Sequence, residues 1–159
     1  MPELRDTVRI KSAYLKDDIV RRELDHYDAD IALTPESKSA KMKILLMRNA
    51  LREIRKIAAE AKAPLLLLIQ PSAYDLTTNF PSSYKEMPRD FSEYDPARLT
   101  DALEEIAQSE KINSINLYDI FKSSVSNNLY FTDNTHWNDN GQALAAAVVG
   151  SYIQEKKLT

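Results

Sequence analysis

Apolar residues recur along this chain in distinct rhythms, and each rhythm predicts an element. From 37 to 61, Ile44, Met47, Leu51, Ile54, Ala58 and Ala61 step by three and four, while lysines and arginines take the other side. That spacing lines one face of an amphipathic helix. A different pattern comes after Pro64: Leu65-Leu66-Leu67-Leu68-Ile69 is an unbroken apolar run bounded by Pro71. Such a run between prolines is too short for a long helix. It predicts a strand buried on both faces, as in a parallel sheet. A second short strand is predicted from Ile112 to Leu117. An amphipathic helix is predicted over 96–110, opened by Pro96, and an alanine-rich helix from Asn138 to about Lys156.

The intervening segments read differently. Residues 1–35 are polar and weakly periodic; Ile10, Tyr14, Ile19 and Leu24 fit a surface helix, so this stretch is an N-terminal helical segment or insertion ahead of a body at 36–159. Thr34-Pro35-Glu36 reads as a turn leading into a helix start. Residues 71–95 hold three prolines, five aromatics and no periodicity, the mark of a functional or insertion loop. Asp119 is expected to cap a brief helical turn. Helices alternating with strands predict an α/β protein with a parallel sheet. Two or three strands are few for a sheet covered on both faces, so the chain looks like part of a larger sheet.

Composition narrows the chemistry. The chain has 159 residues, 43% hydrophobic and 28% charged, within the range of globular proteins. Its net charge of −3 disfavours nucleic acid as a partner, which calls for a basic patch. No apolar stretch approaches the ~18 residues of a membrane span. MPELRDTVRIK lacks the apolar core of a signal peptide, which leaves both a cytoplasmic and an exported parent open. The absence of cysteine excludes disulfides and thiolate chemistry. There are two glycines, Gly141 and Gly150, where average usage of ~7% would give about eleven. P-loops, dinucleotide fingerprints and the G-x-S-x-G elbow are therefore absent. His26 and His136 lie far apart in sequence, against a multi-histidine zinc site. No cofactor and no metal are expected.

The richest segment is Leu129-Tyr-Phe-Thr-Asp-Asn-Thr-His-Trp-Asn-Asp-Asn-Gly141. Asp133 and His136 stand three apart just before a helix. A carboxylate so placed in a turn can accept a hydrogen bond from imidazole Nδ1–H, fixing the tautomer and leaving Nε2 to take a proton from a nucleophile. Asn138 can cap the helix it precedes, and Gly141 in the first turn permits close packing of helix on sheet. The same pattern also serves as an ordinary capping turn. Ser72, after the buried strand, could face the sheet's C-terminal edge, but it lacks an elbow glycine. Tyr74, Phe80, Tyr84, Phe91 and Tyr94 could line an acyl or sugar pocket or pin their loop to the body. His26 reads as a surface residue, and Glu104-Glu105 as the exposed side of their helix.

Asp133-x-x-His136-Trp137-Asn138-x-x-Gly141, followed by Ala143, Leu144, Ala145 and Ala146, resembles the final block of the SGNH (GDSL-type) hydrolases. The aromatic after the histidine is similar to the alginate O-acetyltransferase-like branch. Over residues 37–157 the order of elements matches the C-terminal half of that fold. The resemblance implies a three-layer α/β/α domain with a short parallel sheet, the C-terminal portion of an SGNH/flavodoxin-like fold. It implies that Asp133 orients His136, and that His136 acts as base toward a serine in an earlier Gly-Asp-Ser block. No aspartate here is followed by serine, and no Gly-x-Asn-Asp block occurs. The implied function is ester hydrolysis of an O-acyl or O-acetyl ester, small-molecule or carbohydrate, by a site missing its nucleophile. The alternatives are carbohydrate O-acetyl transfer and a non-catalytic α/β interaction domain. Trp137, Asn138, Ser72 and Tyr74 are the supporting candidates. The missing half of the domain, or a second copy forming a homodimer, is the expected protein partner.

Overall fold

The computed structural model describes residues 29–76, 92–124, 128–132 and 135–157. In chain order these form α1 (Ala29–Leu33), α2 (Lys38–Glu60), β1 (Leu66–Ile69), α3 (Ala73–Leu76), α4 (Arg98–Ser109), β2 (Asn113–Asn116), α5 (Tyr118–Ser123) and α6 (Asp139–Lys156). The chain is mixed α/β with a two-stranded parallel sheet, in which Leu66 pairs with Asn113 and Ile69 with Asn116. The two predicted strands are thus parallel neighbours, connected through α4. The positions assigned to an N-terminal surface helix before residue 29 lie outside the described residues, as do His26 and residues 77–91 of the long loop. The described part of that loop contains α3.

Helix boundaries are set by capping chemistry. The hydroxyl of Ser37 accepts from Ala40 N–H at 3.1 Å and starts α2, two residues after Pro35. Asp95 Oδ1 accepts from Ala97 N–H at 3.1 Å, so α4 begins at Arg98 rather than at Pro96. At the other ends, Lys62, Lys111 and Lys157 come just after α2, α4 and α6 with φ of 53°, 56° and 52°. These are left-handed terminal positions where glycine is usual. In a chain this poor in glycine, lysine fills all three, and its charge suits the negative end of the helix dipole.

The core lies around β2, α5 and α6. Ile115, Leu117, Phe121, Leu129, Tyr130, Ala73 and Ala145 form one buried cluster, against which Leu66, Leu144, Val148 and Tyr152 pack. Ile31, Ala32, Ala40, Ile106 and Ala107 are buried where α1, α2 and α4 meet. Hence part of the polar 1–35 stretch belongs to the body: Asp30 is buried too, bonded to Lys43 Nζ at 2.5 Å.

The structure departs from the sequence expectations at β1, α2 and α5. The apolar run is not covered on both faces, because Leu68 is 37% exposed. β1 has a strand neighbour on one side only among the described residues. The apolar stripe of α2 is likewise only partly covered. Ala40 is that helix's one buried residue, while Ile54 and Ile57 are 47% and 63% exposed. Finally, Asp119 is exposed and does not cap α5. The side chain of Asn116, at the end of β2, accepts from Tyr118 N–H at 3.0 Å instead.

Candidate functional site

The segment after α5 folds back on itself. Tyr130 and Trp137 face each other as an antiparallel bridge; Phe131 N–H donates to His136 O, and Asn138 N–H to Leu129 O, both at 3.0 Å. Side chains alternate across such a ribbon, so Tyr130 and Trp137 turn inward while Phe131 and His136 turn out. The inward pair packs on Phe121, which is fully buried. Phe121 meets Tyr130 edge-on at 6.2 Å between ring centroids and Trp137 at 5.0 Å. His136 is exposed as a consequence of this register.

The hairpin is locked to α6 by Asn138. Its Oδ1 accepts from Asn140 N–H at 3.0 Å and Gly141 N–H at 3.1 Å, satisfying the first turn of the helix. Its Nδ2 donates to the carbonyls of Asn128, at 2.6 Å, and Tyr130, at 3.1 Å. One amide thus joins both arms of the hairpin to the helix entrance. Gly141 is required for this approach: a Cβ there would stand 2.4 Å from Leu129 O and 3.1 Å from Trp137 Cβ. The close contact is with the hairpin backbone rather than with the sheet.

Tyr130 ties the assembly to the C-terminal end of β1. Its buried hydroxyl donates to Pro71 O at 3.2 Å, and burial pushes the phenol up to about 12, so it stays a neutral donor at any physiological pH. Ser72 is the next residue after Pro71, half-buried at the start of α3. Its N–H donates to Asp75 Oδ2 at 3.3 Å, and its carbonyl accepts from Asp75 N–H at 3.0 Å. The Asp75 carboxylate reaching back to the Ser72 N–H is one half of a capping box at this helix start. Asp75 Oδ1 also accepts the hydroxyl of Tyr94. The structure therefore brings the His136 hairpin and the Ser72 turn to the same end of β1. Asp133 and the side chain of Tyr74 lie outside the described residues.

Sequence reasoning missed a group of polar residues at this end of the sheet. Glu104, expected on an exposed surface, is half-buried, and its Oε2 accepts from Asn116 Nδ2 at 3.0 Å. Burial, then the charges of Asp95, Glu104, Asp119 and Glu105, push the Asp101 carboxyl up. Burial, then Asp75, Asp95, Asp119 and Asp101, do the same to the Tyr118 phenol. The available signal was Asn116, a polar residue that ends a strand and can cap the next helix. Among the described residues, no three His, Asp or Glu side chains are grouped so as to hold a metal ion. No described helix is long and apolar enough to cross a membrane. No family model, curated protein or solved structure matches this chain.

Proposed function

We propose that this chain carries the base half of an SGNH-type acyl-transfer site within a three-layer α/β/α domain. Asp133 accepts the Nδ1–H of His136, and Nε2 takes the proton of a serine hydroxyl as that oxygen attacks an O-acyl or O-acetyl ester. The acyl group passes to the serine as the His136 imidazolium gives its proton to the departing alcohol oxygen, and water, giving its proton to the same imidazole, then releases the acid from the serine. The observation that supports this reading is the setting of His136. It is exposed on a hairpin whose neighbouring Tyr130 is bonded to the segment leaving β1. Ligands of open α/β sheets gather beyond the C-terminal ends of strands. Asn138 and Trp137 act as supports, fixing the hairpin against α6 and Phe121, which is how a catalytic side chain gains a defined direction.

The serine and its oxyanion donors have to be supplied from outside these 159 residues, since no Gly-Asp-Ser block occurs among them. Ser72 is an unsuitable substitute: its backbone is committed to starting α3, and nothing in its sequence provides an elbow. The chain alone is expected to hydrolyse an activated acetyl ester no faster than free imidazole, and a fluorophosphonate should leave it unlabelled. Stoichiometric labelling of Ser72, abolished by His136→Ala, would contradict this and make the chain a self-sufficient hydrolase.

A further inference from the structure

Phe131 stands directly opposite His136 in the hairpin. The bridge pairs Tyr130 with Trp137, and Phe131 N–H donates to His136 O at 3.0 Å, so one step further along the two arms Phe131 faces His136. Opposed residues of an antiparallel pair project from the same face, with Cβ atoms ~4.5–5.5 Å apart. The face that carries the imidazole therefore carries a phenyl ring at its side.

The two faces of the hairpin treat their aromatics differently. Inward, Tyr130 is 4% exposed and packs with Trp137 on Phe121. Outward, Phe131 is 46% exposed, the one exposed aromatic among the residues whose side chains the structure describes. It belongs neither to the buried cluster around Phe121 nor to the residues packed against that cluster. Its chain neighbour Thr132 is exposed as well, so the ring lies open beside a polar residue rather than enclosed.

Proton transfer decides which part of an ester such a ring meets. His136 gives its proton to the departing alcohol oxygen, which has to lie within ~2.6–3.2 Å of the imidazole. Once the serine holds the acyl carbon, the alcohol skeleton is the part beside the imidazole. An open ring offers one flat face to a flat partner, whereas an acyl chain needs an apolar pocket around it. The phenyl face is electron-rich, so C–H bonds or the edge of another ring meet it favourably. On the reading of His136 as the base, on which this step rests, we infer that Phe131 contacts the alcohol part of the ester. There it selects ring alcohols, whose flat C–H face stacks on it, over open-chain ones. The ring contributes binding alone and moves no proton.

The test uses the full chain and non-activated acetates, which it leaves intact without the serine. Cyclohexyl acetate and an acetylated methyl glucoside each present a flat C–H face, and n-butyl acetate presents none. In ¹H NMR titrations the ring esters should shift the Phe131 ring and His136 imidazole signals together. At least one should bind about fivefold more tightly than butyl acetate, the scale of one aromatic contact. Which of the two binds more tightly tells a hydrocarbon ring from a sugar. Phe131→Ala should abolish the preference with the amide spectrum otherwise unchanged, and Phe131→Tyr should keep it. No shift at millimolar ester, equal affinity for butyl acetate, or a preference that survives Phe131→Ala would each overturn the contact. With the neutral His136 proton on Nδ1, those results refute the Phe131 contact alone. A proton on Nε2 would instead refute the base reading itself and the contact with it.

Discussion

The junction of α6 with the 129–138 hairpin and the α2–β1 segment begin from similarly apolar stretches and treat them in opposite ways. At the first, three aromatic rings, a helix cap and one glycine interlock, and Phe121 has no solvent exposure. At the second, a 23-residue helix buries a single alanine, and a strand leucine meets water. Amphipathic periodicity says which face of a helix wants cover, whereas cover itself depends on what the rest of the molecule brings there. The hairpin carries its partners within about twenty residues of chain. α2 takes the cover it has from α1 and from α4, the latter far away in sequence.

Truncation should expose this contrast most strongly. Phe121→Ala removes the ring under both Tyr130 and Trp137 and is expected to cost about 3–5 kcal/mol in chemical denaturation. Ile57→Ala, deleting a side chain that is 63% exposed, should stay within about 0.5 kcal/mol of wild type when measured on the dilute monomer. Equal losses would erase the distinction between the two regions. Gly141→Ala is next in size. Its Cβ would collide with Leu129 O, so α6 or the hairpin must shift, at about 1–3 kcal/mol. Raised amide exchange at Asn138 and Gly141 would locate the damage.

On the α2 side the expected changes are smaller, and one is favourable. Lys62→Gly relieves a left-handed residue at the helix end and should stabilise by about 0.5–1 kcal/mol in thermal unfolding, with no loss at the hairpin. Besides its apolar contact, α2 is joined to the end of α4 electrostatically. Arg52 donates to both oxygens of Glu110, at 2.6 and 3.2 Å, while Arg55 donates to the Glu110 carbonyl at 2.7 Å. The bond from Arg52 holds the Glu110 carboxyl below its ordinary value of 4.5. A carboxyl lowered on folding contributes stability above its unfolded pKa and loses it as pH falls through the folded one. Stability should therefore decline on acidification below pH 4.5, and Glu110→Gln should flatten that decline. An unchanged acid limb in Glu110→Gln would show that this pair contributes nothing to the pH dependence.

Element positions were legible because local chemistry dictates them. Three-and-four spacing placed α2, an amphipathic stretch behind a proline placed α4, an alanine-rich run placed α6, and an apolar run and its neighbour placed the two strands, each within a residue or two of where it lies. Asn138 as cap was legible for the same reason, since it acts on Asn140 and Gly141, whereas Gly141 was legible as a site of close approach but not its neighbour, the Leu129 carbonyl in place of the sheet. What escaped depends on distant contacts. Nothing in Leu65–Ile69 tells that Leu68 lacks a neighbour. The burial of Ile31 and Ala32 inside a polar stretch needs α2 and α4 to be in place first. Asp119 has the side chain of a cap for α5, but Asn116 stands two residues ahead of that helix, where its side chain reaches Tyr118 N–H.

On the proposed function His136 is a base whose Nδ1–H is held by Asp133, and the imidazole tautomer reports this directly. In His26→Gln protein, long-range ¹H–¹⁵N spectra of neutral His136 should show the proton on Nδ1, and Asp133→Ala should transfer it to Nε2, the tautomer that free histidine prefers. A neutral His136 already protonated on Nε2, and unaffected by Asp133→Ala, would contradict the proposal and leave the hairpin as a capping structure alone.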